Sequence, residues 1–242
     1  MFNSLPPLTR NIIIINIVVF IVSFFIPQLN DLLSAYYPFS PNFKSWQIIT
    51  HMFMHGSIMH ILFNMFTLYS FGPILEHRLG DKKYLMLYFL SGLGAFFLFN
   101  LWNFFEIQQL TSDLMTNSNV DIRKIYESAN LSRYGFNPAP YMNNEDELNL
   151  YMGLISRMVG ASGAIFGVIA AFATLYPDAR IAIMFIPIPV KVKYVLPVVI
   201  IGSVYLGVSG SGGGIAHLAH VGGAIVGFIL AKIWKRHLYR FN

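Results

Sequence analysis

Met158-Val159-Gly160-Ala161-Ser162-Gly163-Ala164-Ile165-Phe166-Gly167, continuing without a charge to Tyr176, is the stretch whose reading decides the architecture. A helix needs about 20 apolar residues to cross the hydrocarbon core of a bilayer, and 158–176 has that length and character. Its glycines carry a second message. Gly163 and Gly167 form a G-x-x-x-G pair. Lipid tails are as apolar as leucine, so helices in a membrane associate by close packing, and small residues four apart let two backbones approach. This stretch reads as a membrane helix with a partner.

Working outward, five further apolar runs have spanning length: 11–29, 52–75, 84–103, 193–209 and 215–234. The composition agrees. The 242 residues are 55% hydrophobic and 11% charged, with a mean hydropathy of +0.57. Soluble domains carry about 25% charge, so this chain cannot build a polar coat. A disordered chain is excluded, and the composition argues strongly against a soluble enzyme. The absence of cysteine excludes a disulfide framework, a thiolate zinc site and a cysteine nucleophile. No basic stripe interleaved with exposed aromatics speaks for nucleic acid. The expected fold is an all-α membrane protein with six transmembrane helices, residues 1–242 forming one membrane domain. No internal repeat supports an inverted-repeat transporter.

Two segments stand apart. Residues 30–51 are an aromatic-rich linker, with Tyr36, Tyr37, Phe39, Phe43 and Trp46, suited to the headgroup level. Residues 104–157 hold most of the acidic groups and read as a polar extramembrane insertion, an extended outer loop between the third and fourth spans. A short helix is expected there, near 121–130 or 145–157. The side holding 1–10, 76–83, 177–193 and 232–242 has 11 basic and 3 acidic residues, against 5 basic and 8 acidic on the other. The positive-inside rule then puts both termini in the cytoplasm and the insertion outside. The glycine run 210–214 lacks the lysine of a phosphate loop and reads as a flexible outer connection.

The informative residues are polar groups at membrane depth, which cost free energy unless paired or used. His51, His55, His60 and Asn64 fall on the second span, Ser162 on the fourth, His217 and His220 on the sixth. His60 and Asn64 are four apart, on one helix face, and His220, Gly223 and Gly227 share a face on the sixth span. If the glycine faces of the fourth and sixth spans meet, Ser162 and His220 come together. A serine hydroxyl needs such a base to become a nucleophile. The oxyanion that follows needs donors, available from His60, Asn64 and the Ser162 backbone N–H. With no intramembrane carboxylate, a dyad is the one serine option.

These residues resemble the rhomboid intramembrane serine proteases. The matching stretches are Thr50-His51-Met52-Phe53-Met54-His55, His60-Ile61-Leu62-Phe63-Asn64, Gly160-Ala161-Ser162-Gly163 and Ala219-His220-Val221-Gly222-Gly223, in order. The resemblance implies Ser162 as nucleophile and His220 as general base, with His60 and Asn64 as oxyanion stabilisers. Gly160 and Gly163 shape the site, while His51 and His55 support its first-loop side. Glu76 and Arg78 match a pair closing the cytoplasmic end of the second span. It also implies cleavage of transmembrane protein substrates near the outer surface of the bilayer, with no cofactor and no metal.

Two positions depart from the family pattern. Gln47 follows Trp46 where arginine is common, and Phe166 stands where a tyrosine often stacks on the catalytic histidine. A phenyl ring can still stack on imidazole. The alternative is a catalytically silent relative that binds membrane clients, against which both dyad members are retained. A histidine-lined metal site is disfavoured, because no H-E-x-x-H occurs. The expected location is a bacterial plasma (inner) membrane.

Overall fold

The computed structural model describes residues 5–117, 120–132, 135, 142, 144–183, 186–208 and 215–238. Among the described residues, ten α-helices carry the fold. They are α1 (Pro7–Phe25), α2 (Gln28–Leu33), α3 (Gln47–Thr50), α4 (Ile58–Leu79), α5 (Asp81–Asn117), α6 (Ile122–Leu131), α7 (Glu145–Ile155), α8 (Ser162–Leu175), α9 (Val192–Val208) and α10 (Ile215–Leu238). Among the described residues four helices, α1, α4, α5 and α10, are long and apolar enough to cross a membrane, whereas α8 and α9 are apolar but shorter. Phe24, Phe25, Ile58, Phe66, Val198 and Ile201 lie exposed on the outside of this bundle, as a lipid-facing surface requires.

Local chemistry sets the helix ends. Pro7 opens α1, where its missing N–H costs nothing. The Ser57 side chain accepts from His60 N and caps α4, so that helix starts six residues later than the apolar run that predicts it. His51 lies instead in a 3₁₀ turn, His51–Phe53, and His55 in the extended link that follows. The expectation that His51 and His55 fall with His60 on the second spanning helix is therefore corrected. Gly56 and Ser57 interrupt the helix between His55 and His60.

Helix α5 runs well past the predicted end at 103, because no glycine or proline interrupts 95–117 and Ile107, Leu110 and Leu114 recur on one face. That face packs against α6 and α7 around Tyr37, Ile125, Leu150 and Leu154, forming a small outer core of its own. One short helix is expected in the insertion, at either of two places, and the structure has a helix at each. They are capped by Asp121 and by Asn144, whose side chains accept from Arg123 N and Glu147 N.

At the opposite end of the bundle Glu76 is buried and receives Leu8 N (2.9 Å), Thr9 N (2.7 Å) and the Thr9 hydroxyl (2.7 Å). The Thr9 and Tyr84 hydroxyls are hydrogen-bonded at 3.0 Å, so α1, α4 and α5 are fastened together there. A two-stranded antiparallel hairpin, β1 (Arg180–Ile183) and β2 (Ile186–Lys191), follows α8 on this side. Sequence patterning did not reveal it. Beside the hairpin, Lys193 and Lys191 hold the Asp178 carboxyl well down, to about 2. The glycine run 210–214 lies outside the described residues.

Candidate active site

Helices α5, α8 and α10 pack so closely that their glycines have no room for a side chain. A Cβ on Gly223 would lie 1.9 Å from the Gly163 carbonyl oxygen, and one on Gly227 would lie 2.1 Å from that of Gly167. The glycine faces of α8 and α10 meet, as the spacing predicts. A third face, missed in the sequence, closes on them from α5. Ser91 fills the space over Gly167, and Gly94 packs against Gly222. The run Ser91-Gly92-Leu93-Gly94-Ala95 was the signal for it.

This contact fixes the depth of the polar groups. Ser162 is the first residue of α8, and its Oγ lies 2.9 Å from His220 Nε2 on α10. The His220 imidazole stacks flat on Phe166, one turn along α8, with centroids 4.2 Å apart and planes 4° from parallel. The His217 ring approaches His220 edge-on at 6.1 Å. Gly160 sits in the left-handed region (φ 120°), and a Cβ there would meet His60 Nε2 at 2.8 Å and Ser162 Oγ at 3.5 Å. The missing side chain thus leaves an open space that the His60 ring and the Ser162 hydroxyl both border. Asn64 is buried one turn along α4 from His60, its Nδ2 without a hydrogen-bond partner among the described residues. His55 is also buried, its ring edge-on to that of His60 at 5.0 Å.

The linker before α4 holds the chain that delivers Ser162. Ala35 and Met158 exchange both backbone hydrogen bonds (3.0 and 2.7 Å), and Gly160 N donates to His51 O at 2.9 Å. His51 Nδ1 donates in turn to Gln47 O at 2.8 Å. Gln47, the departure from Trp-Arg, is fully buried. Its Oε1 accepts from Tyr36 N and Lys44 N, and its Nε2 donates to Asp31 O and Leu32 O. A neutral amide therefore occupies the anchoring position, where donors and acceptors are needed in equal number. Ser40 Oγ and Asn42 Nδ2 donate to Leu154 O and Ala129 O, tying the linker to the outer core. Tyr36 and Tyr37 are buried in these contacts, and only Phe39 and Trp46 of the linker's aromatics are left well exposed. Burial, followed by the Asp31 carboxylate, pushes the Tyr36 phenol up to about 12.

The rhomboid domain pattern matches residues 42–106 and 129–237, more than half of the chain. The chain belongs to the rhomboid family. Among relatives of this rhomboid chain, Rhomboid protease AarA of Providencia stuartii is 29% identical over 189 residues, covering 77% of this chain and 54% of AarA. Rhomboid protease GlpG of Salmonella paratyphi A is 35% identical over 89 residues, 36% of this chain and 32% of GlpG. Rhomboid-like protease 3 of Toxoplasma gondii is 38% identical over 60 residues, 25% of this chain and 23% of that protein. The rhomboid chain thus spans about half the length of AarA in their match, and less of the other two. The pattern skips 107–128, the distal part of α5 with most of α6.

Proposed function

We propose that the protein is an intramembrane serine endopeptidase that hydrolyses peptide bonds in or near transmembrane helices of other membrane proteins. One observation carries this reading: a hydroxyl and an imidazole 2.9 Å apart, on two glycine-locked helices of a rhomboid chain. Ser162 is the nucleophile. His220 Nε2 takes its proton as Oγ attacks the scissile carbonyl, which requires the imidazole's own proton to sit on Nδ1. Phe166, stacked on the ring, keeps Nε2 aimed at Oγ. The tetrahedral oxyanion forms at the N-terminus of α8, where the first backbone amides have no helical partner and the helix dipole favours negative charge. Ser162 N, the His60 ring and the Asn64 amide supply donors. Collapse of the intermediate returns the proton from His220 to the leaving amine, and water repeats the cycle on the acyl-enzyme.

The site belongs within a six-span topology. The 14 residues of α8 cover about 21 Å, less than a bilayer core. The non-helical segment 156–161 lengthens its path while held inside the protein by Ala35 and His51, the circumstance in which irregular backbone is tolerated at membrane depth. Both termini and the hairpin face the cytoplasm, and the α6–α7 layer faces outward. A bacterial plasma membrane fits this arrangement. Substrates enter laterally from the bilayer, unwinding at small or helix-breaking residues.

Labelling with a fluorophosphonate in detergent tests the assignment. Wild type labels, Ser162→Ala does not, and cleavage of a reporter helix falls by at least about 10³-fold in both Ser162→Ala and His220→Ala. Undiminished labelling of Ser162→Ala overturns the reading.

A further inference from the structure

At the end of the bundle opposite Ser162, about 20 Å along α8, an open cavity of about 580 Å³ separates the ends of α8 and α10. Ala173, Thr174 and Pro177 form one wall, and Phe228, Lys232, Lys235 and Arg236 the other. The three cations share a face, since Lys232 precedes Lys235 by three residues and Arg236 by four. Like charges at this spacing destabilise a helix unless an anion lies between them. Among the described residues no carboxylate lines the cavity, and Asp178, next to Pro177, is engaged by Lys191 and Lys193. Lys235 Nζ donates to Thr174 O at 3.0 Å, holding one ammonium at the cavity wall. Lys232 Nζ lies 5.1 Å from the centre of the Phe228 ring.

One turn further into the bundle the surface is apolar. Phe228, Ile225 and Ile229 are about half exposed on α10, where acyl chains lie. The cavity is thus basic at its mouth and greasy along its inner edge. A surplus of basic loops from the positive-inside rule explains scattered lysines, but not three cations converging on a concave site with an apolar floor.

We infer that this cavity binds the phosphodiester headgroup of an anionic phospholipid, its acyl chain lying along Phe228. Lys232 and Arg236 contact the phosphate oxygens and Lys235 closes the site from the α8 side. The occupant bridges α8 and α10, the helices that carry Ser162 and His220.

The test uses the purified full chain in neutral detergent, following thermal unfolding as lipid is added. Phosphatidylglycerol raises the unfolding midpoint of wild type and of the charge-matched control Lys82→Gln/Lys83→Gln. In Lys232→Gln/Arg236→Gln half-saturation moves to about thirtyfold more lipid, as loss of two cations at an anionic surface predicts. Lys235 is retained because it holds α8. Phosphatidylcholine gives no shift. Equal responses of the two double variants, or an equal shift with phosphatidylcholine, overturn the site. A full shift from inorganic phosphate alone overturns the lipid as occupant. None of these readouts needs proteolysis, so a failure here leaves the assignment of Ser162 standing, and the reverse holds too.

Discussion

The bundle of α5, α8 and α10 and the outer layer of α6 and α7 are both helical, yet their glycines mean opposite things. In the bundle, Gly223 and Gly227 are where they are because any side chain would collide with backbone carbonyls at about 2 Å. In the outer layer, Gly153 on α7 has only Ile107 side-chain atoms at 3.5 Å from where a Cβ would stand, an ordinary contact. The first region is held by proximity of backbones in a solvent as greasy as its own side chains. The second buries Leu114, Ile125, Leu150 and Leu154 against each other and uses side-chain caps at its helix starts, as a domain in water does. One chain therefore follows two sets of packing rules, and the boundary runs through α5.

The contrast can be broken at either end. Gly223→Ala and Gly227→Ala each force α8 and α10 apart and cost about 3 kcal/mol or more, read as loss of folded protein in a denaturant series. Wild-type stability in either variant would remove the close contact from the account. Leu150→Ala opens a hole in the outer core and costs about 2–5 kcal/mol locally. Hydrogen exchange should then rise in α6 and α7 while α8 and α10 keep their protection; loss of protection throughout would mean that the two regions are one cooperative unit. Gln47→Ala takes the side-chain partner from two backbone donors and from the Asp31 carbonyl, Leu32 O keeping its bond from Trp46 Nε1, and costs about 2–3 kcal/mol. Gln47→Arg tests whether a charge could replace the amide, and is expected to be the worse substitution, since the guanidinium cannot accept from Tyr36 N or Lys44 N. Gly153→Ala, the smallest effect, has the opposite sign to the bundle glycines: it stabilises by about 0.5–1 kcal/mol through helix propensity. A destabilising Gly153→Ala would erase the distinction.

What could be read in the amino-acid order follows the same division. The meeting of Gly163 and Gly167 with Gly223 and Gly227, and the juxtaposition of Ser162 with His220, came from helical spacing alone, because small residues at a fixed period leave few ways to dock two helices. Phe166 against His220 is what the family resemblance implies, and the rings are stacked. The supports of the site were less legible. His51 and His55 have the spacing of a helix face but lie before its cap, so periodicity misplaced them. Gln47 joins four backbone groups from three parts of a loop, a role written in no local pattern. The end of α5 lies beyond the fall in hydrophobicity near 103, because the helix runs on with Leu110 and Leu114 still in phase.

The knot of Thr9, Glu76 and Tyr84 gives the frame a pivot. It rivets α1 to α4 and α5 at one end, while toward the other end a cavity of about 380 Å³ parts Phe20, Phe24 and Pro27 from Ser57 and Ile58. A pair of tongs has this layout. The 22 residues of α4 make an arm of about 33 Å, so a tilt of about 5° at the rivet carries its tip, with His60 nearby, through about 3 Å. The hydrogen bonds to the buried Glu76 carboxylate thus fix the end of the bundle about which any such tilt would turn, far from the hydroxyl.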